Sequence, residues 1–183
     1  MTLEAEMSAW YAQQAAVVEL RDPRVQAVLE AIRDMPATRG VRVLDLGCGS
    51  GTLCNAIAEA FPDAQVIGID HDPILLRLGQ ETNRHGDRVR LLQMDLRHPA
   101  WTRHLGNQRF DIVVSATDLR WLSPDDLVRL YLSLPEVIER GGVFLGDAQL
   151  QYDAESESFG YEPDDGRTHT EDPDADSWTR RWR

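Results

Sequence analysis

Short apolar runs alternate with helical patterns between residues 40 and 147 of the 183-residue chain. The apolar runs are nearly continuous, as strands covered on both faces of a sheet require, and they cover residues 41–46, 65–70, 88–94, 110–115 and 141–147. The helical patterns between them cover residues 52–61, 73–84, 98–105 and 124–139. This alternation predicts an α/β fold with a doubly wound, mainly parallel sheet flanked by helices and joined by right-handed crossovers.

Two helices are predicted before the first strand. Asp22 and Pro23 supply an N-cap and a first helical residue, and an earlier amphipathic segment covers residues 7–20. We expect these helices to cap a site on the sheet. The chain then divides into N-terminal helices, an α/β core and an acidic, aromatic-containing loop or lid, over residues 1–40, 41–150 and 151–183.

The last helical pattern is interrupted at Pro135. A proline inside a helix removes a backbone donor and clashes with the preceding turn. Ser133 and Glu136 have the spacing of a capping box, in which a serine caps the helix that follows it. We therefore expect a kink or a new helix start at Pro135.

The C-terminal segment is too polar to form a core. Residues 151–176 contain ten acidic residues and one Arg, a composition typical of a mobile loop. Aromatic residues within and after this segment would be unusual in a purely solvated tail, and we expect them to contact a ligand. No strand is predicted after residue 147. Either the sheet is naturally short, or further strands come from another chain, or the chain is a truncated piece of a longer protein, and we favour truncation.

The composition excludes several classes of function. All 19 basic residues are arginine, and without a lysine amine there is no Schiff-base or pyridoxal-phosphate chemistry. The net charge of −12 disfavours a nucleic-acid partner. The two cysteines lack the spacing of a zinc site, so we predict no metal. Since no signal peptide or membrane-length apolar run is visible, we expect no membrane contact and a cytoplasmic location.

A loop with three glycines follows the first strand. Gly47, Gly49 and Gly51 let the backbone come close to a ligand, at the sheet edge where open α/β folds bind ligands. A dinucleotide fold requires the pattern G-x-G-x-x-G, and the third glycine comes one position early here. Asp45, just before the loop, suits a cationic ligand better than a pyrophosphate. A nicotinamide-dependent oxidoreductase is therefore the less favoured alternative.

The segment from Asp45 to Gly51 resembles the first motif of class I S-adenosylmethionine-dependent methyltransferases, which have a Rossmann-like fold. The resemblance extends over roughly residues 41–147 and is closest to members of the small-molecule type. It implies that the cofactor is S-adenosyl-L-methionine. It also implies that the loop, Cys48 included, holds the methionine portion of this cofactor.

The same resemblance implies cofactor contacts at the ends of three further strands. The acid that ends the second strand would bind both ribose hydroxyls, and the acid after the third would bind the adenine amino group. The end of the fourth strand would face the reacting methyl group. The implied cofactor-binding residues are Asp45, Gly47, Cys48, Gly49, Gly51, Asp70, His71, Met94, Asp95, Leu96 and Ser115.

The catalytic residues remain unknown at this stage. Methyl transfer from a sulfonium is an in-line displacement, in which orientation is the main task of the protein. His71 and Asp118 are candidate general bases if the acceptor must lose a proton. Trp121 is either a wall of the acceptor site or a residue that packs the following helix onto the sheet.

The implied reaction is O- or N-methylation of a small-molecule acceptor. Methyltransferases of this fold that act on nucleic-acid amino groups usually carry a proline-rich, aromatic-ended tetrapeptide after the fourth strand, and residues 115–118 differ from it. No nucleic-acid or membrane partner is expected, and a homodimer is left open. The alternative is a protein that binds S-adenosylmethionine without turnover, or a regulatory partner.

Overall fold

The computed structural model describes residues 23–34, 40–116, 119–146, 150–153 and 158–161. Helix α1, Pro23–Arg33, begins at the predicted proline and buries four apolar side chains at helical spacing, those of Val25, Val28, Leu29 and Ile32. Its predicted N-cap and the amphipathic segment before it lie outside the described residues.

Five parallel strands form the main sheet of the described chain. They are β1, Arg42–Leu46; β2, Gln65–Asp70; β3, Val89–Gln93; β4, Phe110–Ser115; and β5, Ile138–Gly146. Their order in the sheet is β3-β2-β1-β4-β5, with all neighbours parallel. The predicted doubly wound parallel sheet is confirmed, and the strand order reverses between β1 and β4.

Helices cover both faces of this sheet, which explains why the strands are almost continuously apolar. Val43 packs on one face with the buried sides of α1 and of α2, Thr52–Ala60. Leu44 packs on the other face with α4, Pro124–Ser133. The remaining helix is α3, Pro73–Thr82. None of the helices in the described ranges is long and apolar enough to cross a membrane.

The predicted helix over residues 124–139 is wrong in its second half. α4 ends at Ser133, a single 3₁₀ turn covers Leu134–Glu136, and β5 begins at Ile138. Pro135 lacks the N–H that another helical turn would need, and the main-chain carbonyl of Val137 instead accepts the N–H of Phe110, at 2.8 Å.

The expected capping box at Ser133 does not form. Its hydroxyl donates to the carbonyl of Leu130 at 2.7 Å and accepts the indole N–H of Trp101 at 2.9 Å. Trp101 belongs to a short 3₁₀ helix, Trp101–Leu105, which is all that forms of the helix predicted over residues 98–105. Ser133 therefore joins two segments on one face of the sheet instead of starting a helix.

A hairpin follows the main sheet, where no strand was predicted. β6, Leu150–Asp153, and β7, Ser158–Tyr161, pair antiparallel as a separate two-stranded sheet. Tyr152 and Phe159 are Cα partners in its register. The polar composition of the surrounding segment gave no strand pattern in the sequence. Residues 162–183 of the acidic segment lie outside the described residues.

Candidate functional site

The glycine loop has a backbone that only glycine adopts easily. Gly47, Gly49 and Gly51 have φ angles of 73°, 55° and 74°, in the left-handed region where other residues are strained. The loop follows β1 at the point where the strand order reverses, which is where ligands bind in open α/β sheets. The positive φ angles of the loop therefore explain why glycine occupies all three positions.

Backbone hydrogen bonds fix this loop against the end of β2. The N–H groups of Gly47 and Cys48 both donate to the carbonyl of Ile69, at 2.8 and 3.0 Å. Within the loop, the N–H of Gly51 donates to the carbonyl of Cys48 at 2.8 Å. The loop thus has a defined shape before any ligand enters.

Asp70 fastens the loop to the next element of the chain. Its carboxylate is 2% exposed, and Oδ2 accepts the N–H of Gly49 while Oδ1 accepts the N–H of Asp72, both at 2.8 Å. Asp72 in turn caps α3 by accepting the N–H of Ile74. A carboxylate offers about four lone-pair positions, so two remain beside these bonds. The sequence placed Asp70 at the site but did not reveal that it holds the loop.

Asp95, just after β3, forms a bidentate ion pair with Arg97. The guanidinium donates to both carboxylate oxygens, with an Nη2–Oδ2 distance of 2.7 Å and Nε distances of 2.9 and 3.1 Å. Hydrogen bonding from Arg97 lowers the pKa of Asp95 to about 2, so the carboxylate stays ionised near neutral pH. Sequence reasoning missed Arg97, for which the Asp-x-Arg spacing was the only signal.

The backbone on either side of Asp95 completes the end of β3. The N–H of Met94 donates to the carbonyl of Asp70 at 2.7 Å, which brings the end of β3 beside that of β2. Met94 is buried and Leu96 is half-buried. The predicted ribose and adenine acids thus end neighbouring strands on the same sheet edge.

Asp45 lies beneath the glycine loop as a buried carboxylate, 2% exposed. Its Oδ2 accepts the thiol of Cys54 at 3.3 Å, and this thiol belongs to the buried side of α2. A hydrogen bond with Cys48, together with burial and the charge of Asp45, raises the pKa of the Cys54 thiol. A cysteine cluster under the loop was not predicted, although both cysteines were visible in the sequence.

Ser115 ends β4 on the other side of the reversal point. Its side chain is 1% exposed, and within the described part of the chain its hydroxyl has no hydrogen-bond partner. Buried polar groups are rarely left unpaired.

The catalytic candidates have different surroundings. His71 is 71% exposed, and its Nδ1 lies 3.4 Å from Oδ1 of Asp70. Trp121 is 76% exposed, so the interpretation as a packing residue is wrong; Leu119 in the same 3₁₀ turn supplies the buried contact instead. Asp118 lies outside the described residues. Among the residues that the structure describes, no group of three or more His, Cys, Asp or Glu side chains could hold a metal ion.

The chain belongs to a known family. Residues 43–142 match the family described as "Methyltransferase domain", and this range contains the glycine loop and the ends of β2, β3 and β4. The resemblance found in the sequence is thereby confirmed.

Curated relatives act on different kinds of acceptor. The release factor glutamine methyltransferase of Geobacter sulfurreducens is 40% identical over 105 residues, which are 54% of this chain and 34% of the relative. The trans-aconitate 2-methyltransferase of Azoarcus sp. is 29% identical over 153 residues, 82% of this chain and 54% of the relative. The chain spans between a third and about half of the length of these two proteins.

A solved structure links the fold to the cofactor. The glycopeptide N-methyltransferase MtfA, complexed with S-adenosyl-L-methionine, is 27% identical with a TM-score of 0.54, over 68% of this chain and 54% of that one. The predicted cofactor agrees with this relative. An amino pentose methyltransferase from Micromonospora echinaspora, 23% identical with a TM-score of 0.58 over 80% of this chain and 57% of that one, shares the fold.

Proposed function

We propose that this chain binds S-adenosyl-L-methionine at the carboxyl edge of its sheet and transfers the methyl group to a small-molecule acceptor. The observation that carries the proposal is the left-handed glycine loop, pinned to β2 through the contact between Gly49 and Asp70. Membership of the methyltransferase-domain family supports the same function.

The residues at this edge fit the proposed cofactor. Among the described residues, a Cβ on Gly49 would have only Leu75 within 4 Å, at 3.9 Å, so the described chain leaves space for a ligand beside the loop. Asp70 keeps two lone-pair positions for ribose hydroxyls. Asp95, held ionised by Arg97, can accept from an adenine amino group, with the backbone of Met94 and Leu96 beside the ring.

The bound cofactor would supply an electrophilic methyl group on a positively charged sulfur. The loop backbone and Asp70 hold it in one orientation, which is the main requirement of an in-line displacement. Asp45 contributes a buried negative charge below the loop, and attraction between opposite charges is strong where water is excluded. This charge favours the cationic donor over its neutral product.

We assign the acceptor side of the site to the segment after β4. Ser115 offers an unpaired hydroxyl there, and the exposed ring of Trp121 can form a wall. His71 and Asp118 remain the candidate bases for acceptors that lose a proton. Since His71 adjoins Asp70, it is better placed to line the cofactor than to deprotonate an acceptor.

A small-molecule acceptor is favoured over RNA by the net charge of −12, which repels phosphate. Trans-aconitate and glycopeptide methyltransferases among the similar proteins favour it too. A protein acceptor is the second candidate, because the Geobacter sulfurreducens relative, at 40% identity, is a release factor glutamine methyltransferase.

The test is formation of S-adenosylhomocysteine with three sets of acceptors in parallel: small carboxylic acids, phenols and amines; glutamine-containing release-factor peptides; and tRNA. Turnover with the first set alone supports the proposal. Turnover with peptides or with tRNA would show that the acceptor belongs to that class instead. Binding of S-adenosylmethionine without turnover of any acceptor identifies a non-catalytic binding protein. Light scattering on the same sample decides between monomer and homodimer.

A further inference from the structure

The two cysteines of the chain converge beneath the glycine loop. Cys48 lies in the loop and Cys54 on α2, and neither is in a disulfide. A Cβ placed on Gly68 of β2 would lie 2.7 Å from the Cys48 sulfur and 2.8 Å from the Cys54 sulfur. Both sulfurs therefore lie next to the position that a Cβ of residue 68 would occupy. Only glycine leaves that position empty.

The two thiols differ in their access to solvent. Cys54 is 0% exposed, and its S–H donates to Oδ2 of Asp45. Its neighbours and its burial raise its pKa, so it stays protonated. Cys48 is half-buried, with its sulfur 3.6 Å from the carbonyl of Gly49. Cys48 is therefore the thiol that an oxidant meets first.

We propose that a hydroperoxide converts Cys48 and Cys54 into an intramolecular disulfide, and that this bond closes the cofactor site. The Cys48 sulfur, once its proton is lost, attacks one oxygen of hydrogen peroxide: an S–O bond forms, the O–O bond breaks, and hydroxide leaves and takes up that proton as the first water. The Cys54 sulfur then attacks the Cys48 sulfur; an S–S bond forms, hydroxide leaves, and Asp45 accepts the Cys54 proton. Two thiols and hydrogen peroxide yield one disulfide and two waters.

The bond would act on the loop through the main chain of Cys48. Its N–H donates to Ile69 and its carbonyl accepts from Gly51, so a displaced Cys48 moves both ends of the loop. An S–S bond of about 2.05 Å draws this residue toward α2. It also removes the thiol that donates to Asp45. The oxidised loop then no longer presents Gly49 to Asp70 as the reduced loop does.

Disulfide formation stands on the geometry alone, whereas the loss of cofactor binding rests on the proposed function. The experiment exposes the full chain to graded hydrogen peroxide, alkylates the remaining thiols after denaturation, and maps the peptides by mass spectrometry. We expect a cross-linked Cys48–Cys54 peptide, lighter by two hydrogen atoms than the reduced pair. In the Cys54→Ala variant, Cys48 should instead gain oxygen atoms.

The same samples are titrated with S-adenosylmethionine before and after treatment with dithiothreitol. We expect oxidation to weaken binding at least tenfold and dithiothreitol to restore it. Restoration separates the disulfide from oxidation of Met94, because thiol reagents do not reduce methionine sulfoxide.

Three results would overturn all or part of this account. Oxygen added to Cys48 in the wild-type chain while Cys54 stays open to alkylation would overturn the disulfide. A complete disulfide with unchanged affinity would overturn the switch. If the reduced chain does not bind S-adenosylmethionine at all, the proposed function fails, and the cross-linked peptide still decides the chemistry of the thiol pair.

Discussion

The carboxylate of Asp70 accepts the backbone N–H of Gly49 at 2.8 Å. Asp70 ends β2, and Gly49 lies in the loop that follows the neighbouring strand β1. The bond crosses from β2 to the glycine loop, and the same carboxylate accepts the N–H of Asp72 at the start of α3. One buried side chain therefore joins the glycine loop to the start of α3.

Replacing Asp70 should weaken binding of S-adenosylmethionine. Asp70→Asn leaves one buried N–H without its acceptor, and hydrogen bonds to charged groups contribute about 1.5 to 3 kcal/mol. We expect the dissociation constant from calorimetry to rise about 10- to 150-fold. The control is Asp72→Asn, which removes a neighbouring charge but keeps a good N-cap. Equal weakening by both variants would show that net charge, and not the bonds of Asp70, controls affinity.

A methyl group on Gly49 should occupy the space of the cofactor. Gly49→Ala places a side chain on a backbone with φ of 55°, which costs about 1 to 2 kcal/mol in stability. Gly86→Ala is the matched control, because Gly86 has φ of 58° and no atom of the described residues lies within 4 Å of its added Cβ. Both variants should lose similar stability in urea, and only Gly49→Ala should lose affinity, by about tenfold or more. Parallel losses of affinity would mean that strain alone explains the effect.

The pair of Asp95 and Arg97 should give the stability a weak pH dependence at acid pH. The folded-state pKa of Asp95 is lowered from 3.8 to about 2. The ion pair therefore contributes its full stability above pH 3.8, and this contribution is lost as the pH falls through about 2. Asp95→Asn should reduce the free energy of unfolding at pH 7 by no more than about 1 kcal/mol, because the side chain is 43% exposed. This difference should shrink between about pH 4 and pH 2. A difference constant over that range would show that Arg97 does not hold the carboxylate.

The bond between Trp101 and Ser133 should stabilise the fold without affecting the site. Ser133→Ala leaves a buried indole N–H unpaired, which costs about 1 to 3 kcal/mol. Once Trp101→Phe has removed that N–H, the serine change should cost much less. Urea unfolding of both single variants and the double variant measures the coupling, and affinity for S-adenosylmethionine should stay unchanged. Additive losses would show that the two side chains are not bonded.

Much of the scaffold was predictable from the apolar pattern. Strands covered on both faces leave nearly continuous apolar runs, so β2 and β4 were placed at their exact ends. The start of β5 was misplaced because residues 138–140, Ile-Glu-Arg, continue a helical pattern in the sequence. Only the ladder with β4 makes this segment a strand. The hairpin of β6 and β7 was missed because its two short strands lie in a segment rich in acidic residues.

The site was predictable in its residues but less so in its contacts. The glycines and acids follow strand ends, where sequence spacing is informative. The bond from Asp70 to Gly49, the pairing of Asp95 with Arg97 and the convergence of the two cysteines depend on how neighbouring strands and loops meet in three dimensions. Such contacts leave no periodic pattern in the sequence of one chain.

Calorimetric titration of the chain with S-adenosylmethionine, S-adenosylhomocysteine and NAD in parallel tests the central claim most directly. Binding of the first two, without binding of NAD, is the result that the glycine loop, Asp70 and Asp95 predict. Binding of NAD alone, or of none of the three, would contradict the proposal that this sheet edge holds the methyl donor.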